Sequence, residues 1–320
     1  MWIARIGLGV IAAVLASTAP SAAFPDKPIT VNVCQPAGGG TDRNLQTLVP
    51  FAERHLGQPL VVQYRAGAGG TLAMQEIKGA AKDGHTLAFC DTGGTLFGPI
   101  AQNIAFKGDD VIPLAQVTDV PWVFTVHSST PYKTVQDVVD AAKKAPGQLK
   151  ASIADIASAD HYTWLLFARA TGLGATGFRW IPYGGGAPKV RAMLAGDSHL
   201  DMLLPSLVLE PMKNGIMRPL AVAAPSRLKE LPDVPTFREL GLDVVDGLSI
   251  SIFAPAGTPQ AVTAKLTSAL MKIKAEPEFH TIYNRLGQDL STFISGDEYA
   301  PKWKKSWAEA PQLLRDVMKR

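Results

Sequence analysis

Ile29-Thr-Val-Asn-Val-Cys34, then Pro36-Ala-Gly-Gly-Gly40, then Thr41-Asp42 decides the fold class of this chain. The first run is β-branched and reads as a strand. The glycines break it, and Leu45, Leu48, Val49 and Ala52 then recur on one face of a helix. The design returns at Leu60-Val-Val-Gln-Tyr64, which breaks at Ala66-Gly-Ala-Gly-Gly70 and leads into a helical stretch through Met74 and Ile77. Thr86-Leu-Ala-Phe-Cys90 is a third strand, ending at Asp91-Thr-Gly-Gly94. Strand, glycine loop and helix in repetition imply a parallel sheet with right-handed crossovers.

A second set follows, with strands expected at Trp122 to Val126, Leu149 to Ile153, Phe178 to Ile181, Leu200 to Leu204 and Leu220 to Ala224. Helices are expected between them at Val135 to Lys144, Tyr162 to Thr171 and Pro188 to Leu194. A late strand, Leu248 to Ala254, precedes helices from Gln260 to Lys274 and from Glu298 to Arg320. In the last of these Trp303 and Trp307 share a face, which reads as core packing. The pattern predicts an α/β protein of two lobes, each a mainly parallel sheet flanked by helices. The chain is expected to cross between them near Trp122 and Leu248. The first lobe is then discontinuous, 24–121 with 249–320, and the second is 122–248.

The length of 320 residues and a hydrophobic fraction of 47% suit two such cores. Residues 1–23 read as a secretory signal peptide, with Arg5 as a basic start, Ile6 to Ala16 as the apolar stretch and Ala23 before the cut. Without Arg5 the formal charge falls from +3 to +2, which gives no reason to expect nucleic acid or a membrane surface as partner. The six histidines show no metal-ligand spacing, and no cofactor motif is complete. Gly67-Ala-Gly69-Gly70-Thr71-Leu72 has Leu where a dinucleotide fingerprint needs glycine, and neither glycine loop carries the Lys of a P-loop. Gly196-Asp-Ser-His199 resembles a serine-hydrolase signature without the strand-to-helix elbow.

Two glycine loops, Gly38-Gly-Gly40 and Gly67-Ala-Gly-Gly70, each stand between a strand and a helix start. Glycine lets a ligand approach the backbone, and a helix N-terminus offers unpaired N–H groups and partial positive charge. Two at one sheet edge make an anion site without a basic side chain. The alternative is that one or both are only tight turns. In the second set Ser158-Ala-Asp-His161 opens a helix. There Ser158 or Asp160 can serve as cap, with or without His161 facing a ligand.

The mature chain resembles the solute-binding receptors of the tripartite tricarboxylate transporters, the Bug receptors. The likeness is carried by Phe24-Pro-Asp-Lys-Pro-Ile29, Pro36-Ala-Gly-Gly-Gly-Thr-Asp42, Arg65-Ala-Gly-Ala-Gly-Gly70 and Lys82-Asp-Gly-His-Thr86. It continues through Ala145-Pro-Gly147, Ile181-Pro-Tyr-Gly-Gly-Gly-Ala-Pro188, Arg218-Pro-Leu-Ala-Val222, Leu231-Pro-Asp-Val-Pro-Thr236 and Phe253-Ala-Pro-Ala-Gly-Thr-Pro259. The resemblance implies a two-lobed periplasmic-binding-protein clamshell with no enzymatic activity and no cofactor. It implies a periplasmic monomer that delivers a small carboxylate to a membrane permease. The ligand contacts it implies in the first lobe are Ala37, Gly38, Gly39, Gly40, Asp42, Gly67, Ala68, Gly69, Gly70, Thr71 and Thr92. Those in the second lobe are Asp155, Ser158, His161, Tyr183 and Asp201.

Asp155 occupies a loop that is usually glycine-rich in that family, and Asp201 ends a neighbouring strand. Two carboxylates there would repel a second ligand carboxylate, so the expected ligand has one anchoring carboxylate and a donor-bearing or aromatic remainder. Cys34 and Cys90 end neighbouring strands and are a candidate disulfide. The alternatives are a receptor for a sensor kinase and a periplasmic hydrolase using Ser158 or Ser198 with a histidine.

Overall fold

The computed structural model describes residues 24–286 and 288–318. The signal-peptide expectation, 1–23, lies outside them. In chain order the described residues form β1 (Ile29–Val33), α1 (Gly40–Leu56), β2 (Leu60–Tyr64), α2 (Thr71–Gly79), β3 (Thr86–Asp91), α3 (Gly98–Ala101), β4 (Val111–Pro121) and β5 (Val123–His127). Then come α4 (Val135–Lys144), β6 (Lys150–Ile153), α5 (Ala159–Thr171), β7 (Arg179–Pro182), α6 (Gly186–Leu194), β8 (Leu200–Leu203), α7 (Pro205–Lys213) and β9 (Met217–Val222). The chain ends with β10 (Gly247–Pro255), α8 (Gln260–Ala275), α9 (Pro277–Arg285), β11 (Ile294–Ser295) and α10 (Gly296–Met318).

Two mixed sheets result. The first has the order β11-β4-β10-β3-β1-β2, and β1 pairs in parallel with both β2 and β3. Strand β10 runs antiparallel to β3 and β4. The second has the order β7-β6-β8-β5-β9, with β5 antiparallel to its neighbours. Each sheet therefore keeps four strands in one direction, so the βα loops of a lobe gather at one edge.

Local chemistry sets these elements. Helix α1 buries Leu45, Leu48, Phe51 and Ala52 and stops at Gly57, whose left-handed φ of +74° lets its N–H reach the Glu53 carbonyl. Helix α4 starts with a capping box, Thr134 accepting the Asp137 N–H. The second lobe is built round a cluster of Phe124, Trp164, Phe167, Phe178, Trp180 and Phe237, with Trp164 and Phe178 centroids 5.0 Å apart. Each such pair adds about 0.5–1.5 kcal/mol beyond area burial. The cluster stiffens the platform under the β6–α5 and β7–α6 loops.

Two segments cross between the lobes side by side, and the Trp122 N–H points to the Asp246 carbonyl at 3.4 Å. Helix α10 crosses as well. Its Tyr299 and Trp303 pack in a first-lobe cluster, whereas Ala310, Leu313 and Leu314 join the second-lobe core. The C-terminal helix, expected to lie wholly in the first lobe, thus packs in both lobes. Phe97 also reaches across, with its ring 5.5 Å from His161.

Candidate functional site

The two first-lobe glycine loops meet at the C-terminal edge of β1, β2 and β3. Neither α1 nor α2 has a side-chain cap at its N-terminus; Gly39 and Gly70 occupy the capping positions. No side chain takes their first-turn N–H groups, although the Thr71 N–H that opens α2 donates to the Ala68 carbonyl. Asp42 does not stand in for a ligand. Its Oδ2 accepts the Gly38 N–H at 2.7 Å, and its Oδ1 accepts Tyr64 Oη at 2.9 Å and Gln46 Nε2 at 3.1 Å. Burial pushes the Asp42 carboxyl up, but these hydrogen bonds outweigh it and hold the group below the usual range. Asp42 clips the loop into shape from behind, while Ala37 and Gly38 stay exposed and Gly39 and Gly40 half-buried.

In the second loop four consecutive residues, Gly67 to Gly70, have positive φ, a conformation that only glycine adopts without strain. At Gly70 a Cβ would come within 2.9 Å of the Gly94 Cα and 3.2 Å of the Cys34 Cβ. This glycine lets the three βα loops touch. Thr71 is buried, its Oγ1 donating to the Ala68 carbonyl at 2.8 Å. Thr92 is half-buried and donates to the Ser249 carbonyl on β10. Sequence reasoning missed Asp91, which is buried and accepts from Thr41 Oγ1 at 3.1 Å and the Gly94 N–H at 3.2 Å, tying the first loop to the third.

The second lobe faces this edge closely. A Cβ on Gly69 would lie 3.6 and 3.7 Å from the Ala157 and Ile156 carbonyl oxygens, and one on Gly93 only 2.9 Å from the Ala159 nitrogen. The loop from Ala154 to His161 is knitted by its own side chains. Asp155 is exposed, and its Oδ1 accepts the Ile156 N–H at 2.8 Å. Ser158 Oγ donates to the Asp155 carbonyl and to Asp160 Oδ1. His161 Nδ1 accepts the Ala157 N–H at 3.2 Å. Tyr183 is half-buried, and its N–H ties β7 to the Ile153 carbonyl at 3.0 Å.

Asp201 differs from its expected role. It is fully enclosed, and its Oδ1 lies 2.7 Å from Lys189 Nζ. Lys189, 2% exposed, also meets Asp160 Oδ2 at 2.7 Å and the Met202 carbonyl at 2.8 Å. The Lys189 ammonium donates to Asp160 and the Met202 carbonyl and forms an ion pair with Asp201, whose two buried carboxylate oxygens have no hydrogen-bond partner among the described residues. Burial pushes Asp201 up to about 7, with Lys189 pulling the other way. Burial also raises Asp160, but Lys189, Ser158 and the Ala154 N–H hold it below its ordinary value. Asp201 and Lys189 brace the two second-lobe loops and do not repel a ligand in the cleft. The sequence signals only that Lys189 is buried, since it stands on the face of α6 that also carries Ala192 and Met193; it does not signal the partners.

His161 is 7% exposed, wedged between Phe97 and Trp180, and its Nε2 has no hydrogen-bond partner among the described residues. Burial lowers it to about 4, so at neutral pH it is an uncharged N–H donor. Between pH 6.5 and 4 the unfolded chain takes a proton that the fold refuses, so this residue's contribution is present above 6.5 and lost as pH falls. Denaturant titrations of wild type and His161→Leu should show the wild type losing about 1.4 kcal/mol more per pH unit in that window. Equal slopes would place a charged His161 inside the fold.

The hydrolase alternative finds no support. Ser198 is enclosed and bonded to Ser152, and Ser158 faces aspartates, not His161. Cys34 and Cys90, a candidate disulfide from the sequence, are both free buried thiols in this structure. They follow the register pair Val33 and Phe89 on parallel strands. Side chains at matched parallel positions project alongside each other, whereas a disulfide needs its bonds turned near a right angle. Among the described residues no helix is long and apolar enough to cross a membrane, and no cluster has metal-ligand geometry.

Known proteins share this architecture. The protein BugT of Bordetella pertussis is 31% identical over 268 residues, covering 82% of this chain and 81% of the relative. The structure of MatC from Rhodopseudomonas palustris, with bound malate, superposes with a TM-score of 0.78 at 26% identity, covering 91% of this chain and all of that one. A TctC solute-binding protein from Polaromonas, without ligand, gives 0.75 at 25% identity over 92% of this chain and all of its own. The family model described as tripartite tricarboxylate transporter family receptor matches residues 46–298. The chain belongs to that family, which consists of solute-binding receptors and not of enzymes.

Proposed function

We propose that the protein captures a small carboxylate-bearing metabolite in the periplasm and hands it to the membrane permease of a tripartite tricarboxylate-type transporter. One observation carries this reading. Two uncapped helix N-termini, reached through glycine backbone, converge at the first-lobe edge against the second-lobe loop. The ligand carboxylate sits in the loops 38–42 and 67–71, on those N–H groups that the loops' own hydrogen bonds leave over. The far end meets His161 Nε2–H and Tyr183. The burial of Asp201 on Lys189 and the exposure of Asp155 remove the repulsion that favoured a donor-bearing remainder. A far end with an acceptor, such as a hydroxyl, carbonyl or second carboxylate, now satisfies the unpartnered His161 donor. MatC, solved with malate, holds a ligand of that kind.

A thermal-shift panel tests this. Malate, citrate, lactate, benzoate and glucose are compared at one concentration series. A ligand that binds only the native state raises Tm by mass action. Oxygen-rich carboxylates should stabilise the protein saturably and glucose should not. Stabilisation by glucose alone would overturn the reading.

A further inference from the structure

Behind the cleft, at the hinge, lies a second cavity of 260 Å³. Of the residues expected to touch the cleft ligand, only Thr92 also lines it. Its walls come from β4, the segment entering β10 and the straddling α10, which pass between the lobes, and from the second-lobe helix α5. Most of its charges are already matched. Lys302 pairs with Asp119, Arg238 with Asp243 at 2.9 Å and Lys305 with Glu309 at 3.9 Å. Two are not. Asp246 is bonded to Thr163 Oγ1 at 2.5 Å but forms no ion pair among the described residues, and neither does Arg169. Tyr162, on the same face of α5 as Arg169, adds a phenol to the wall.

We infer that this cavity is a second binding site, which takes a small zwitterion with its ammonium on Asp246 and its carboxylate on Arg169. A guanidinium fork matches a carboxylate in a bidentate pair. An ammonium complements a carboxylate whose hydrogen bonds come from the Thr163 hydroxyl and the Gly247 N–H, with no cation in direct contact among the described residues. Desolvation holds Asp246 up near 7, a cost that a bound cation relieves. The volume corresponds to about nine waters at ~30 Å³ each, which suits an amino acid of few carbons. Because the walls belong to both lobes, an occupant senses the hinge, and its affinity and that of the cleft ligand are reciprocally linked.

The inference goes beyond the carboxylate cleft and is separable from it. Glycine, β-alanine and γ-aminobutyrate are titrated calorimetrically into wild type, Asp246→Asn, Arg169→Gln and Gly69→Val, with malate titrated in parallel to report the cleft. At least one zwitterion should bind wild type and Gly69→Val alike. Its affinity should fall about tenfold or more in Asp246→Asn and Arg169→Gln, the loss of one charged hydrogen-bonded contact. Asp246→Asn keeps the oxygen that accepts from Thr163, so the fold survives; circular dichroism checks it. If none of the three binds wild type, or if binding is lost in Gly69→Val and kept in Asp246→Asn, the hinge site is refuted. The malate arm then still judges the cleft on its own.

Discussion

Replacing Lys189 with methionine should cost about 3–5 kcal/mol of stability at pH 7.5, the usual penalty for removing one partner of a buried ion cluster. Lys189 is 2% exposed and is the cation shared by Asp160 and Asp201. Without it, two carboxyl groups face each other in an enclosed space. Asp201→Asn should cost far less, because burial already raises that carboxyl to about 7 and so weakens its charge near neutral pH. The double variant should recover part of the loss. The Lys189→Met deficit should shrink at pH 5, where Asp201 carries its proton in the fold. Urea titrations at the two pH values measure all of this. A Lys189→Met protein as stable as wild type would show that the ammonium is not what compensates the aspartates.

Gly69→Val should weaken carboxylate binding severely while the protein stays folded. A side chain at φ +67° is strained, yet its Cβ meets nothing nearer than 3.5 Å, so the first lobe can hold it. The added methyl groups then occupy the gap against the Ala157 and Ile156 carbonyls, where a ligand and the closing lobe must both fit. Affinity for the best carboxylate of the panel should fall on the order of a hundredfold, the worth of one or two charged hydrogen bonds. Calorimetry gives the affinity and the far-ultraviolet spectrum the fold. Undiminished binding would move the site away from this loop.

The parts of the fold that could be read in the sequence were those set locally. β1, β2 and β3 stand out because β-branched runs meet glycine loops within a few residues. Strand β4 did not, although it is eleven residues long. Pro113, Pro121 and the polar Gln116, Thr118 and Asp119 hide its pattern. It is held instead by β10, far along the chain, with a register shift beside Pro113 that accommodates the missing N–H. The site divides in the same way. The helix N-termini of the first lobe follow from local motifs. The partner of Asp201 does not, since three residues at 160, 189 and 201 meet only when β8, α5 and α6 are packed. Asp155, expected from sequence to face the ligand, is exposed and bonded to its own turn.

The central claim is that backbone N–H groups of the first lobe hold the ligand's carboxylate. The most direct test is a crystal structure of the protein with the strongest carboxylate of the panel. The account predicts one carboxylate within about 2.7–3.2 Å of N–H groups, or of waters on them, in 38–42 and 67–71, with no Lys or Arg side chain on it. A ligand carboxylate paired instead with a basic side chain, with those two loops empty, would contradict it.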